Sequence, residues 1–236
     1  MSLAPNSTSD PLLASVQQAM QCHAAGRFDD ARTIYQQVLA QAPDHPDALH
    51  LLGVLAAQQG DPAQAHALIW RAIAANPGEA MFHNNLANVC VELGRFDDAE
   101  PLYVRAIELD GARLDALSNL GLLLGRTGRP ADAEKLLCRV VELAPGNPAW
   151  RQNLANLYLS MGREGDALQQ CHDGLVVAPR SQPLRSLMVM AYTALGLNDK
   201  ARDVLMAWRQ AEPDNPFPRH HLAACTGQDV PGRAAD

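Results

Sequence analysis

The sequence predicts an all-α fold, an α-solenoid of six helix–turn–helix units closed by a short C-terminal helix. Three registers predict it. Glycine recurs every 34 residues at Gly26, Gly60, Gly94, Gly128, Gly162 and Gly196. Alanine follows each at Ala31, Ala65, Ala99, Ala133, Ala167 and Ala201. Proline closes the units at Pro43, Pro77, Pro145, Pro179 and Pro213, with Gly111 in its place once. Glycine makes up about 7% of residues on average, so six hits at one phase arise by chance roughly once in ten million sequences.

Each element has a local cause. The units begin near Leu12, Pro46, Ala80, Leu114, Pro148 and Gln182. In the first helix of a unit, Leu52, Leu86, Leu120 and Leu154 are expected to face the partner helix. One residue later stand Gly53, Ala87, Gly121 and Ala155, small enough for two backbones to approach closely. The phased alanine of the second helix meets that contact, where a larger side chain would overpack it. The phased glycine ends the first helix, because the position after a helix often needs positive φ. Pro62 and Pro130 fall at the start of second helices, where a missing N–H costs nothing. The closing prolines redirect the chain.

The end units depart from the pattern, as units with one neighbour do. Gln18 replaces leucine in the first, and Val189 and Trp208 occupy small-residue registers in the sixth. The expected division is a disordered segment over 1–11, the array over 12–215, a capping helix over 216–227 and a flexible tail over 228–236. Leu222, Ala223 and Ala224 are the residues expected to cover the open end.

Composition narrows the function. Ala, Leu and Gln dominate, the strand-forming Ile, Phe, Trp and Tyr are scarce, and aromatics are 5%, which favours helix over strand; lysine occurs only as Lys135 and Lys200. The net charge of -7 supplies no basic stripe for phosphate, so nucleic acid is excluded as a partner. No apolar run reaches the roughly 18 residues of a membrane span. The first residues lack the basic and apolar regions of an export signal, which points to the cytoplasm. Cys22, Cys90, Cys138, Cys171 and Cys225 are scattered without a paired motif, so neither a zinc site nor a disulfide framework is expected.

The 34-residue unit resembles the tetratricopeptide repeat. The best-matched stretch runs Ala80-Met-Phe-His-Asn-Asn-Leu-Ala-Asn, then Gly94-Arg-Phe-Asp-Asp-Ala, then Tyr103-Val-Arg-Ala-Ile. The resemblance covers about residues 12–215. It implies a right-handed superhelix with first helices on the concave face, and a scaffold that binds a protein or peptide there.

Asparagine then becomes informative. Asn85, Asn119 and Asn153 precede the inward leucine at a 34-residue spacing, with Asn88 and Asn156 three residues on and Asn84 and Gln152 one residue before. Asparagine is a poor helix-interior residue, and its amide carries both donor and acceptor. Spaced along a groove, such amides can satisfy the main chain of an extended peptide without reading its side chains. The register is similar to the asparagine ladder of the O-GlcNAc transferase superhelix, matching at Asn85, Asn119 and Asn153 and lapsing at Gln17, Leu51 and Leu187. It equally suits asparagines that only bridge neighbouring helices, and both readings stay open. Glu92 and Arg126 flank the groove. The clustered cations that a carboxylate clamp pairs with asparagine are missing, which disfavours a chaperone-tail ligand. Expected site residues are thus Asn84, Asn85, Asn88, Asn119, Arg126, Gln152, Asn153 and Asn156, with no catalytic residue, metal or cofactor.

Motifs of catalysis do not occur: no phosphate-binding glycine loop, no G-x-S-x-G and no H-E-x-x-H. His221 and Cys225 share a helical face but lack a third ligand, and His50 and His83 are placed along the groove. The run from Asn215 resembles the connector after tetratricopeptide arrays in bacterial proteins that continue into a methyltransferase. The expected function is a non-catalytic scaffold holding an extended partner. The alternatives are the substrate-recruiting region of a larger methyl- or glycosyltransferase, and a self-assembling homo-oligomeric scaffold.

Overall fold

A computed structural model of the chain describes residues 11–226. The disorder expected over 1–11 therefore falls outside the described residues except at Pro11, which opens a helix. The tail expected over 228–236 lies outside them entirely. Thirteen α-helices and no strand occur among the described residues. In order they are α1 (Pro11–Ala24), α2 (Phe28–Gln41), α3 (Pro46–Gln58), α4 (Pro62–Ala75), α5 (Ala80–Glu92), α6 (Phe96–Leu109) and α7 (Leu114–Arg126). There follow α8 (Pro130–Leu143), α9 (Pro148–Ser160), α10 (Glu164–Val177), α11 (Gln182–Ala194), α12 (Asn198–Ala211) and α13 (Pro216–Thr226). The chain forms two compact units, Met1–Leu123 and Leu124–Asp236.

The phased glycines explain the turns. Gly26, Gly60, Gly94, Gly128, Gly162 and Gly196 all lie at φ between 68° and 83°, and no other described residue has positive φ. At Gly94 the following amide, Arg95 N–H, reaches back to the Cys90 carbonyl at 2.8 Å. This closes the last turn of α5 as a Schellman motif. Second helices then start on a repeated pair: Arg27–Asp30, Arg95–Asp98, Arg129–Asp132 and Arg163–Asp166 at 2.6–3.4 Å. These pairs are half-exposed, and solvent screening leaves each of them contributing little.

In the first unit α1 to α6 pack each on the next, and α3 also touches α1 and α5. All six phased alanines have no exposed surface, as their packing requires. At Gly53 an added Cβ would stand 2.6 Å from Ile69 Cγ1 and 3.2 Å from the Ala65 carbonyl oxygen. Backbone α3 thus runs almost against backbone α4, and the missing side chain permits it. Tyr35, Val38, Leu52 and Leu55 fill the space between the first hairpin and α3.

In the second unit Gly174 serves similarly, with Leu184 Cδ1 of α11 where its Cβ would be. The final hairpin is covered by α13. Trp208, Leu205 and Val189 form a cluster with Leu222, and the Phe217 ring lies 5.0 Å from Trp208. The two bulky residues in small-residue registers are therefore the floor on which the terminal helix sits. Ala223, Ala224 and Cys225, with its expected pairing to His221, lie outside the described side chains.

Candidate functional site

The expected asparagines of the first unit converge. Leu86 and Ala87 are buried on one side of α5, and Asn85 and Asn88 stand on the opposite edge of that helix. There Asn85 Nδ2 donates to His50 Nε2 on α3 at 2.8 Å. Its Oδ1 accepts from Asn84 Nδ2 at 3.2 Å. Asn84 Nδ2 also donates to Asp115 Oδ2 at 3.3 Å. Asn119 Nδ2 on α7 donates to Asn84 Oδ1 at 3.3 Å and to Asn88 Oδ1 at 3.0 Å. The Tyr103 hydroxyl, reaching across from α6, donates to Asn88 Oδ1 at 2.6 Å. Carboxamides thus link α3, α5 and α7 in one network.

The network has a buried layer and an accessible one. Asn84 is only 2% exposed. It was expected as a direct contact, yet its amide is spent on Asn85, Asp115 and Asn119, so it braces the face from beneath. One helix position is a rotation of about 100°, and that turns Asn84 inward while Asn85 remains half-buried and Asn88 exposed. His50 and His83, placed along the groove by sequence, are also buried. His50 stacks on Phe82 at 4.5 Å, and burial pushes its imidazole down to about 4. His83 bonds the Pro77 carbonyl at 3.0 Å, fixing the turn before α5.

Between α3 and α5 lies a cleft of about 170 Å³. Val54 and Ala57 of α3, Ile69 of α4 and Val89 of α5 make it apolar. Asn85, Asn88, Glu92 and Gln58 add polar edges. This is the composition of a small ligand site, apolar walls with a few convergent polar groups.

In the second unit Gln152 and Asn153 on α9 are half-buried, Asn156 is exposed, and Arg126 is exposed in the last turn of α7. Arg151, beside them, is held by Gln170 and Asp173 of α10 at 3.1 and 3.3 Å. Tyr158 donates to Glu134 at 3.1 Å, and Arg163 grips the same carboxylate at 2.8 and 2.9 Å. These are structural ties between α8, α9 and α10.

Sequence reading gave Tyr103 and Asp115 no part in this network, and it placed His50 along the groove without linking it to Asn85. His50 was the most accessible, because His50, Asn84 and Ser118 share one 34-residue phase and all three are buried polar residues. Among the described residues no cluster of three metal-ligating side chains occurs, and no helix is long and apolar enough to cross a membrane.

Comparison with known proteins places this arrangement. A family model for the tetratricopeptide repeat matches residues 23–89 and 126–179, and a second matches 78–146. No curated protein matches the sequence. Among solved structures, PilW, a type IV pilus biogenesis factor, is similar with a TM-score of 0.83 at 19% identity, covering 91% of this chain and 100% of its own. A thermophilic tetratricopeptide protein of Thermus thermophilus is 27% identical, with a TM-score of 0.63 over 78% of this chain and 98% of its own. YrrB, described as having an unusual peptide-binding site, is 19% identical, with a TM-score of 0.60 over 75% and 91%. Tetratricopeptide proteins act in general as scaffolds for protein interaction. With its phased glycines, alanines and paired helices, this chain belongs to the tetratricopeptide repeat family.

Proposed function

We propose that this chain is a non-catalytic scaffold that holds a partner protein by an extended segment laid along its first helices. In the first unit Asn85, Asn88 and Asn119 meet the segment's main chain, with Asn84 as their support. Asn153, Asn156, Gln152 and Arg126 offer corresponding groups in the second. The observation that carries this reading is the set of carboxamides beside the 170 Å³ apolar cleft between α3 and α5. An isolated buried amide network would need no such opening. The free cysteines Cys22, Cys90, Cys138 and Cys171 support a reducing compartment such as the cytoplasm.

A selection of displayed random peptides on the full chain tests it. Peptides enriched on the native chain are expected to lose most of their affinity for a variant carrying Asn85→Ala, Asn119→Ala and Asn153→Ala, with helicity unchanged. Equal binding to both contradicts the reading. A second reading rests on the similarity of the asparagine register to that of O-GlcNAc transferase. It makes the array the substrate-holding region of a larger glycosyl- or methyltransferase. It predicts that the full natural gene product transfers such a group to the captured protein, and no transfer contradicts it.

A further inference from the structure

Asn88 differs from the other asparagines in how its amide is held. Its Oδ1 accepts twice, from the Tyr103 hydroxyl at 2.6 Å and from Asn119 Nδ2 at 3.0 Å. A carboxamide oxygen has two lone pairs, so this oxygen is saturated. The amide is planar, and fixing its oxygen toward α6 and α7 turns Nδ2 the other way, toward the cleft that Asn88 lines. Asn119 has the reverse polarity. Both Nδ2 hydrogens go to Asn84 and Asn88, leaving its Oδ1 as the group it offers.

Tyr103 is 2% exposed, so its ring is held by packing and its hydroxyl stays where Asn88 receives it. The same register in the first unit holds Tyr35, but Met20 stands where Asn88 would be. The Tyr35 hydroxyl is buried with no hydrogen-bond partner. In the fifth unit Asn156 is present and the tyrosine register holds Cys171. Only the unit from Ala80 has both halves of the device.

We infer that Tyr103 is a positioning residue that fixes Asn88 with its donor outward, so that Asn88 and Asn119 together capture one residue of an extended chain in a single direction. Asn88 Nδ2 gives to that residue's carbonyl oxygen and Asn119 Oδ1 accepts its N–H. The C=O and N–H of one extended residue lie on the same edge, which allows both bonds at once. Its apolar side chain enters the cleft walled by Val54, Ile69 and Val89. This rests on the peptide-holding reading above and adds chain polarity to it.

The probe is N-acetyl-leucine methylamide, which carries one such residue, titrated at millimolar concentration into the isotope-labelled full chain. The expected result is a saturable shift of the Asn88 side-chain NH₂ signals. In Tyr103→Phe, which removes only the hydroxyl, the backbone spectrum should hold while the Asn88 side-chain order parameter falls. Affinity should weaken about three- to tenfold, the loss of one hydrogen bond. Asn88→Asp keeps the acceptor and removes the donor, and should abolish saturable binding read at the Val54 and Val89 signals of the cleft. An unchanged order parameter and affinity in Tyr103→Phe, or native binding in Asn88→Asp, overturns the inference. If Asn85 and Asn119 still respond in that case, the peptide-holding reading survives. No saturable shift at any of these asparagines overturns both.

Discussion

Asn85 of α5 donates its Nδ2 hydrogen to Nε2 of His50 on α3 at 2.8 Å, joining two successive units through a neutral imidazole. The bond requires an unprotonated Nε2, since a protonated ring would set donor against donor. Burial holds His50 in that state by lowering its pKa to about 4. The imidazole thereby orients an accessible amide from a position no ligand reaches.

A dependence of stability on acid follows. An unfolded histidine titrates near 6.5 and His50 in the fold near 4. Between those values the unfolded chain binds the proton first, so acid favours unfolding. Stability should be complete above pH 6.5 and fall by about 3 kcal/mol down to pH 4, where this contribution levels off. His50→Gln retains an acceptor for Asn85 and has no proton to gain. Urea unfolding at pH 7, 5.5 and 4 should show a shallower decline for that variant than for the native chain. Parallel declines would contradict the assignment.

Two glycines should fail for different reasons. Gly94 lies at φ 73° with nothing within 4 Å of an added Cβ. Gly94→Ala therefore costs only backbone strain, about 1–2 kcal/mol. At Gly53 the backbone is helical, and alanine there would gain about 1 kcal/mol of helix propensity. The contact at 2.6 Å with Ile69 opposes this, and overpacking costs about 1–3 kcal/mol. Thermal unfolding should show a net loss for Gly53→Ala that shrinks in an Ile69→Ala background, where Cγ1 is gone, while the loss for Gly94→Ala is the same in both backgrounds.

These glycines also show why most of the fold was legible in sequence. Positive φ and close backbone approach are demands on single residues, so a register of identical letters exposes them. The placing of Asn85 and Asn88 on α5 and of Asn119 on α7 along first helices was legible in the same way. Asn84 was not, because its neighbour in sequence is a third of a turn away in space. Tyr103 was invisible as a site residue because its role depends on the reach of a side chain from α6 to α5. The Arg–Asp pairs at the starts of α2, α6, α8 and α10 also fall on multiples of the 34-residue period.

The C-terminal end should behave as a local unit. Trp208 is 2% exposed, contacts Phe217, and donates from Nε1 to Glu212 at 3.0 Å. The Trp208 bond lowers the Glu212 pKa most, Asn215 at 2.9 Å adds to it, and Arg185 at 2.9 Å acts in the same direction. Trp208→Ala should remove about 3–5 kcal/mol locally. Since repeats couple mainly to neighbours, hydrogen exchange should quicken over α11 to α13 and remain slow in α3 and α4. Uniform acceleration along the chain would contradict that.

The central claim, that extended polypeptide lies along the first helices, is tested most directly by mapping a selected peptide on the isotope-labelled full chain. The account predicts saturable shifts in the side-chain amides of Asn85, Asn88 and Asn119, with second-helix residues such as Trp70 unmoved. Shifts centred on the second helices, with those three amides unchanged at saturation, would contradict it.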